Sequence, residues 1–300
     1  MTIGVLVMAH GTPARTDDLA AFYTRIRRGR PPEPAQLAEL AQRYEAIGGI
    51  SPLAERTHAQ VDALRAELER RAPGRYAVVF GAKHAEPLIE EAAVQLASAG
   101  VARVIGLVLT PHGSSMGSQE YLERAAAAVG SIPFVAVGPW YAEPALVDLL
   151  ADRVTDARTA VTGWTRVIFT AHSLPARISE SGDTYPDQVA DSARLVAAAA
   201  GLGDWAVAWQ SAGRTPEPWL GPDVRDEVRQ LGREGGVDSV VVCPIGFVAD
   251  HLEVLYDLDI ELAAVADEAG VGYARTASLN DDPAFISVLA DVVTSSDTTP

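Results

Sequence analysis

The sequence predicts an α/β protein of two similar halves, each a four-stranded parallel sheet flanked by helices, with a ligand cleft between them. Three observations predict it. A run of β-formers ending in Ala-His, two further residues and Pro occurs twice, at 3–13 (IGVLVMAHGTP) and 167–175 (VIFTAHSLP). Strand-like apolar runs alternate with stretches of helical period, joined by short links. The 300 residues suit two units, since one domain takes about 150. A histidine just past a buried strand sits where open α/β sheets place ligands. His10 and His172 are therefore expected to face a shared cleft, and imidazole nitrogen there is suited to a metal.

Taken in order, strands are expected near 3–9, 76–81, 103–109 and 133–137, then near 166–171, 205–209, 238–243 and 271–275. Leu19, Phe22 and Ile26 repeat at helical spacing behind a Thr16 cap. Leu37, Leu40, Tyr44 and Ile47 follow Pro34, and Val61, Leu64 and Leu68 come next. Gly48-Gly49 stops one helix and Gly100 another. Residues 140–160 read as a helix joining the halves. The expected division is 1–146 and 147–282, with a last helix, 283–294, packing back onto the first half. The polar tail 295–300 is expected to fray. The pseudo-repeat extends to VIGLVLTPHGSS (104–115) against SVVVCPIGFVAD (239–250), and to GAKHAEP (81–87) against QSAGRTPEP (210–218).

Composition bounds the function. Hydrophobic residues make up 48% of the chain, enough for two cores. No apolar run is long enough to span a bilayer, and the N-terminus enters a strand with no leader pattern, so a cytoplasmic protein is expected. The single Cys243 excludes an internal disulfide and a four-cysteine zinc or iron–sulfur site. A net charge of −16 argues against nucleic acid, whose binding rests on cationic contacts to phosphate.

Four clusters carry chemistry. His172 ends a strand before Ser173-Leu174-Pro175 turns the chain; it is either a cleft ligand or a core histidine bonded to a carbonyl. In FVADHLEVLYDLDIE (247–261), Asp250 reads as an N-cap, and Glu253, Asp257 and Glu261 recur at i, i+4 and i+8. Like charges so spaced repel, so the row is either a path for metal or protons or a solvated acidic face. His251 beside it is either a cap or functional. The basic run RIRRGR (25–30), with Arg43, Tyr44 and Ser51, suits an anionic small molecule with apolar bulk; the alternative is favourable charge at a helix C-terminus. Trp209 and Trp219, in a Pro/Gly-rich loop, form either a wall for a flat ligand or core packing.

Six phrases then carry a resemblance: IRRGR (26–30), RYEAIGGISPL (43–53), AHSLP (171–175), YPDQ (185–188), WQSAGRTPEPWLGPDV (209–224) and GFVADHLEVLYDLDIE (246–261). Over essentially the whole chain the sequence resembles the ferrochelatases, most of all the coproporphyrin III ferrochelatases of Gram-positive bacteria. The resemblance implies two Rossmann-like domains around a porphyrin cleft, the class II chelatase fold, and insertion of ferrous iron into coproporphyrin III. It makes His172 and Glu253 the catalytic metal pair on opposing walls. It makes Arg27, Arg43, Tyr44, Ser51 and Tyr121 porphyrin-binding, and gives Asp257, Glu261, Lys83 and His84 to a metal or proton path. His10 stands where family members carry a tyrosine able to ligate product iron; imidazole can also ligate haem iron. His172 is expected to be a neutral imidazole at pH 7. No permanent cofactor is implied: Fe2+ is a substrate. The implied partners are the porphyrin and a downstream coproheme-processing enzyme, and the expected state is a monomer. Protoporphyrin IX as substrate, cobalt or nickel insertion into another tetrapyrrole, and a non-catalytic porphyrin carrier are the competing readings.

Overall fold

The computed structural model describes residues 1–297. The first half runs β1 (Ile3–Ala9), α1 (Leu19–Ile26), α2 (Pro34–Ala46), α3 (Leu53–Arg71), β2 (Tyr76–Ala82), α4 (Ile89–Ser98), β3 (Val104–Val108), α5 (Ser118–Ala128) and β4 (Phe134–Ala136). α6 (Pro144–Arg158) leads into β5 (Thr165–His172), α7 (Arg177–Glu180), α8 (Tyr185–Ala199), β6 (Trp205–Gln210), α9 (Val224–Glu234), β7 (Ser239–Cys243), α10 (Leu252–Leu255), α11 (Ala263–Ala269), β8 (Gly272–Arg275) and α12 (Pro283–Asp297).

The strands fall where apolar β-formers run without interruption. Every residue of β1, β3 and β7 is buried, as both faces of a helix-covered parallel sheet require. The two sheets have the same order, β2-β1-β3-β4 and β6-β5-β7-β8, with every pairing parallel. In each, the chain reverses direction of travel at the central pair, β1/β3 and β5/β7. The crevice beyond the carboxyl ends of those strands is the natural ligand position. His10 follows β1 and His172 ends β5, so the repeated phrase marks corresponding switch points.

One apolar core runs through both halves, joining Val5, Val7, Leu64 and Leu107 to Phe169, Val241, Phe285 and Leu289. α12 packs on α3 and α6. Arg71 Nη1 reaches Asp291 Oδ1 at 2.6 Å. Asp297, 6% exposed, takes ion pairs from Arg75 and Arg103 and the Tyr76 hydroxyl at 2.9 Å. Those partners hold α12 helical to Asp297, so residues 295–297 are anchored where fraying was expected; 298–300 lie outside the described residues. Thr16 does not cap α1: it lies in a 3-10 turn (Thr16–Asp18), and its hydroxyl donates to Gly49 O at 3.4 Å. The halves are also tied by Gln60 Nε2, which donates to Val248 O (3.1 Å) and Asn280 O (2.8 Å). Cys243 is fully buried, and burial pushes its thiol up to about 12. Among the described residues no helix is long and apolar enough to cross a membrane.

Candidate active site

The pairing of β5 with β7 brings the turns beyond them together. Gly246, in the turn after β7, donates its N–H to Thr170 O at 3.1 Å. A Cβ there would lie 2.7 Å from Ala171 Cβ, so only glycine allows the turn to close against β5. The chain then delivers His251 and Glu253 beside the end of β5. His172 Nε2 lies 3.5 Å from Glu253 Oε1, and His251 Nε2 lies 3.7 Å from Oε2. His172 and Glu253 therefore stand side by side on one wall, both from the second half, and not on opposing walls.

The imidazole of the first half is His10, near enough for the Glu253 carboxylate to act on it. Gly11, at φ +84°, turns the chain away behind it, with the space for a Cβ closed by Ala82 and Ala85. The β1/β2 ladder continues past the strands, with His84 N donating to His10 O at 3.0 Å, and the two rings lie 4.7 Å apart. Phe22 closes the edge of His10 at 6.0 Å.

Three of these imidazoles are fixed in the same way. His10 Nδ1 is 3.1 Å from Gly11 O, His172 Nδ1 is 2.5 Å from Ser173 O, and His251 Nδ1 is 2.9 Å from Ala249 O. A carbonyl only accepts, so each Nδ1 carries a proton and each ring is left to meet its other surroundings through Nε2. Supporting bonds hold the backbone around the pair. The Tyr185 hydroxyl donates to His172 O at 2.9 Å. Gln210 Nε2 donates to Glu253 O at 3.0 Å, while its Oε1 accepts from the Thr170 hydroxyl at 2.7 Å. Tyr185 and Gln210 stand inside the motifs that carry the resemblance, but their positioning role shows only in the fold.

Electrostatics separates the histidines. Burial opposes charge on His172, but the Glu253 carboxylate outweighs it and raises the ring to about 9. The same pairing, against the burial penalty, holds Glu253 well below the usual carboxylate range. The metal-free pair is thus imidazolium and carboxylate at pH 7, which corrects the neutral imidazole expected for His172. His10 behaves oppositely: desolvation lowers it, and the Gly11 carbonyl and Glu253 only partly offset that. Burial, with His10 and nearby cations, drives His84 down to about 3.

The acidic row is not one α-helix. Asp250 is not the cap; its carboxylate accepts from Ser278 (2.6 Å) and Asn280 (2.9 Å), and His251 holds the N-cap position of α10. Between α10 and α11 the chain widens into a π-helical turn, Asp257–Leu262. An α-helix would rotate each i+4 neighbour by about 40°; the wider turn sets that drift back, and such π-turns gather at functional sites. Asp257 is partnered within the chain: Ser211 Oγ donates to Oδ2 at 2.5 Å, and Arg43 Nη1, from the first half, reaches Oδ1 at 3.4 Å. Burial prevails over both and raises Asp257 to about 6. Glu261 pairs with Arg225 at 3.3 Å.

The residues expected to hold porphyrin come from the first half, and of them Arg43 reaches the second half, at Asp257. Arg27 Nη1 donates to Gln36 Oε1 at 2.9 Å, while its buried Nε has no partner among the described residues. Arg43 lies over the Tyr256 ring at 4.9 Å. The buried Tyr44 hydroxyl is 3.2 Å from Thr12 Oγ1. Ser51 is buried, its hydroxyl accepting from Leu53 N at 3.3 Å. Lys83 Nζ pairs with Glu120 at 2.9 Å and lies over the buried Tyr121 ring at 4.9 Å. Burial raises both Tyr44 and Tyr121, keeping them as neutral phenols. Trp209 is core rather than cleft wall, 6% exposed and 5.7 Å from the Tyr185 ring; Trp219 donates through Nε1 to Thr215 Oγ1 at 3.0 Å.

Known proteins share this architecture and this sequence. Two solved structures match the fold: SirB from Bacillus subtilis with Fe3+ (TM-score 0.62, 13% identity, 99% of this chain and 96% of that one) and CbiX, the terminal enzyme of sirohaem biosynthesis in denitrifying bacteria (0.56, 16%, 97% and 98%). At that identity they speak for the fold alone. The coproporphyrin III ferrochelatase of Bacillus subtilis (strain 168) is 46% identical over 299 residues, covering 97% of this chain and 96% of that protein. That of Geobacillus kaustophilus (strain HTA426) is 46% identical over 300, covering 97% and 95%. The ferrochelatase family model matches residues 2–297, and the chain belongs to the ferrochelatase family.

Proposed function

We propose that the chain inserts Fe2+ into coproporphyrin III to give coproheme, with His172 and Glu253 as the metal pair. The observation that carries this reading is the 3.5 Å approach of His172 Nε2 to Glu253 Oε1 at a sheet switch point, on a chain nearly half identical to coproporphyrin III ferrochelatases. Two pyrrole N–H protons must leave, a hydrated Fe2+ must shed water, and the flat ring must buckle toward the metal. A rigid cleft that fits the buckled ring better than the flat one lowers that barrier.

The metal-free pair stores a proton where the cation is to sit. Fe2+ arriving at the Glu253 carboxylate replaces the His172 proton, and the freed Nε2 becomes a nitrogen ligand. Across the cleft, neutral His10 presents an unprotonated Nε2, able to accept a pyrrole proton or to ligate product iron in place of tyrosine. The unpartnered Nε of Arg27 suits a propionate. Arg43, Tyr44, Ser51 and Tyr121 complete the porphyrin-binding set; Lys83, His84, Asp257 and Glu261 flank it as a metal or proton path. The enzyme works without a resident cofactor, as a cytoplasmic monomer that hands coproheme to a processing enzyme.

The test is anaerobic Fe2+ insertion into coproporphyrin III and, in parallel, protoporphyrin IX, followed by the Soret shift. Fast conversion of the first is expected. Preference for the second would move the substrate, and binding without metalation would make the chain a carrier. A His172→Ala variant with normal turnover would overturn the residue assignment.

A further inference from the structure

Two anions have a claim on the guanidinium of Arg43. In the porphyrin reading it binds a propionate, and in the structure it is the cation of Asp257. From α2 of the first half, Nη1 lies 3.4 Å from Asp257 Oδ1 in the second half, and Nη2 lies 3.5 Å from Glu39 Oε1. Both contacts are long, since well-made charged hydrogen bonds measure about 2.7–2.9 Å. They engage two N–H donors of a fork that carries five. The side chain is 25% exposed, and its plane rests on the Tyr256 ring at 4.9 Å. The fork is therefore loosely held and open to a carboxylate that meets it with closer bonds.

The two carboxylates now sharing Arg43 are unequal. Glu39 has a second cation, Arg214, and is 39% exposed to water. Asp257 has no such reserve: among the described residues its one ion pair is to Arg43, and its side chain is 11% exposed. Its Oδ2 accepts from the Ser211 hydroxyl at 2.5 Å, which leaves Oδ1 to the guanidinium.

The other charges around Asp257 have partners of their own. Glu253, on α10, pairs with His172 at the end of β5, and Glu261, in the π-helical turn itself, pairs with Arg225 of α9. Glu253 and Glu261 disfavour charge on Asp257, while Arg43, Arg225 and His172 favour it. With Arg43 in place, burial already holds the carboxyl at about 6. At pH 7 about one molecule in ten is then protonated.

We infer that the site binds porphyrin and a proton together: the propionate that takes Arg43 causes Asp257 to take up one proton from solvent, on Oδ1. The inference rests on the porphyrin reading. No bond of the porphyrin changes, and the proton returns to solvent when the propionate leaves. The sign is the same wherever the guanidinium goes. If it swings away, Asp257 loses its cation; if it stays between the two carboxylates, the propionate's charge opposes charge on Asp257. Loss of an opposite charge at close range raises a carboxyl pKa by about 1–3. Asp257 would then gain about 0.4–0.9 proton per porphyrin at pH 7.

The test is calorimetric titration of metal-free coproporphyrin III into the full-length protein at pH 7, in two buffers of different ionisation enthalpy. Propionates and His172 contribute to the proton count, so the readout is the difference between wild type and Asp257→Asn. Wild type should take up about 0.4–0.9 proton more than the variant. From pH 6 to 8 its porphyrin affinity should fall about five- to fiftyfold more than the variant's. Arg43→Gln serves if Asp257→Asn fails to fold: with no guanidinium to lose, the extra uptake per porphyrin bound should disappear. Porphyrin binding with equal uptake in wild type and variants would overturn the inference and leave the porphyrin reading standing. Absence of porphyrin binding would overturn that reading, and the inference with it.

Discussion

Glu253→Gln tests the electrostatics of the site most directly. In the wild type the carboxylate, 3.5 Å from Nε2, raises His172 from 6.5 to about 9 against the pull of burial. At pH 7 a group with that value is protonated in about 99 of 100 molecules. The variant keeps the burial and loses the main opposing cause, so His172 should titrate near 6.5 or below. It would then be protonated in at most about one molecule in four at pH 7. The His172 13Cε1 chemical shift, followed from pH 5 to 10 without metal, reads this directly. The sign for stability follows. A folded-state value above that of the unfolded chain contributes stability that is complete below about 6.5 and is lost as pH rises through about 9. The gap in Tm between wild type and variant should therefore be widest at pH 6–7 and close toward pH 10. An unchanged His172 midpoint in the variant would refute the assignment of an imidazolium–carboxylate pair.

Further expectations can be checked independently. Metal must displace the His172 proton, so the apparent Co2+ affinity, read by its visible absorption, should rise about tenfold per pH unit between 7 and 9. Gly246→Ala should destabilise by about 1–3 kcal/mol, because the new Cβ meets Ala171 at 2.7 Å; denaturant melts measure it, and turnover should fall with it. Arg43→Ala removes the cation beside Asp257 and should raise that carboxyl above its present value of about 6, seen in the 13C shift of its carboxyl carbon. Asp297→Asn should cost about 1–3 kcal/mol at pH 7 through its charged hydrogen bonds. Its partners hold Asp297 below the usual carboxylate range despite burial, so that loss should shrink as acid protonates the wild-type carboxyl.

Much of the scaffold was legible because uninterrupted apolar runs such as SVVVC suit buried parallel strands, and the repeated Ala-His phrase marked both switch points. What escaped depends on distant neighbours. Arg43 and Asp257, 214 positions apart, meet only once the halves are assembled. The π-turn is invisible to a spacing count, since Glu253, Asp257 and Glu261 keep their i+4 intervals whichever helix type holds them. The charge of His172 is set by a carboxylate 81 residues downstream, and a sequence records no desolvation. Trp209 reads as a ligand wall by composition, whereas its place at the end of β6 sends it into the core.

The end of the chain finishes its beginning. α12 lays Phe285, Ile286 and Leu289 into the core that β1 and α3 share, and Asp297 closes on Arg75 and Arg103. During synthesis the first half therefore emerges from the ribosome with part of its apolar surface uncovered, and it keeps that surface until the last helix has been made. A fragment ending at residue 146 inherits the same exposed face. For this protein the order of translation and the order of completion run in opposite directions, and a nascent chain of about 280 residues is the species a chaperone would have most reason to hold.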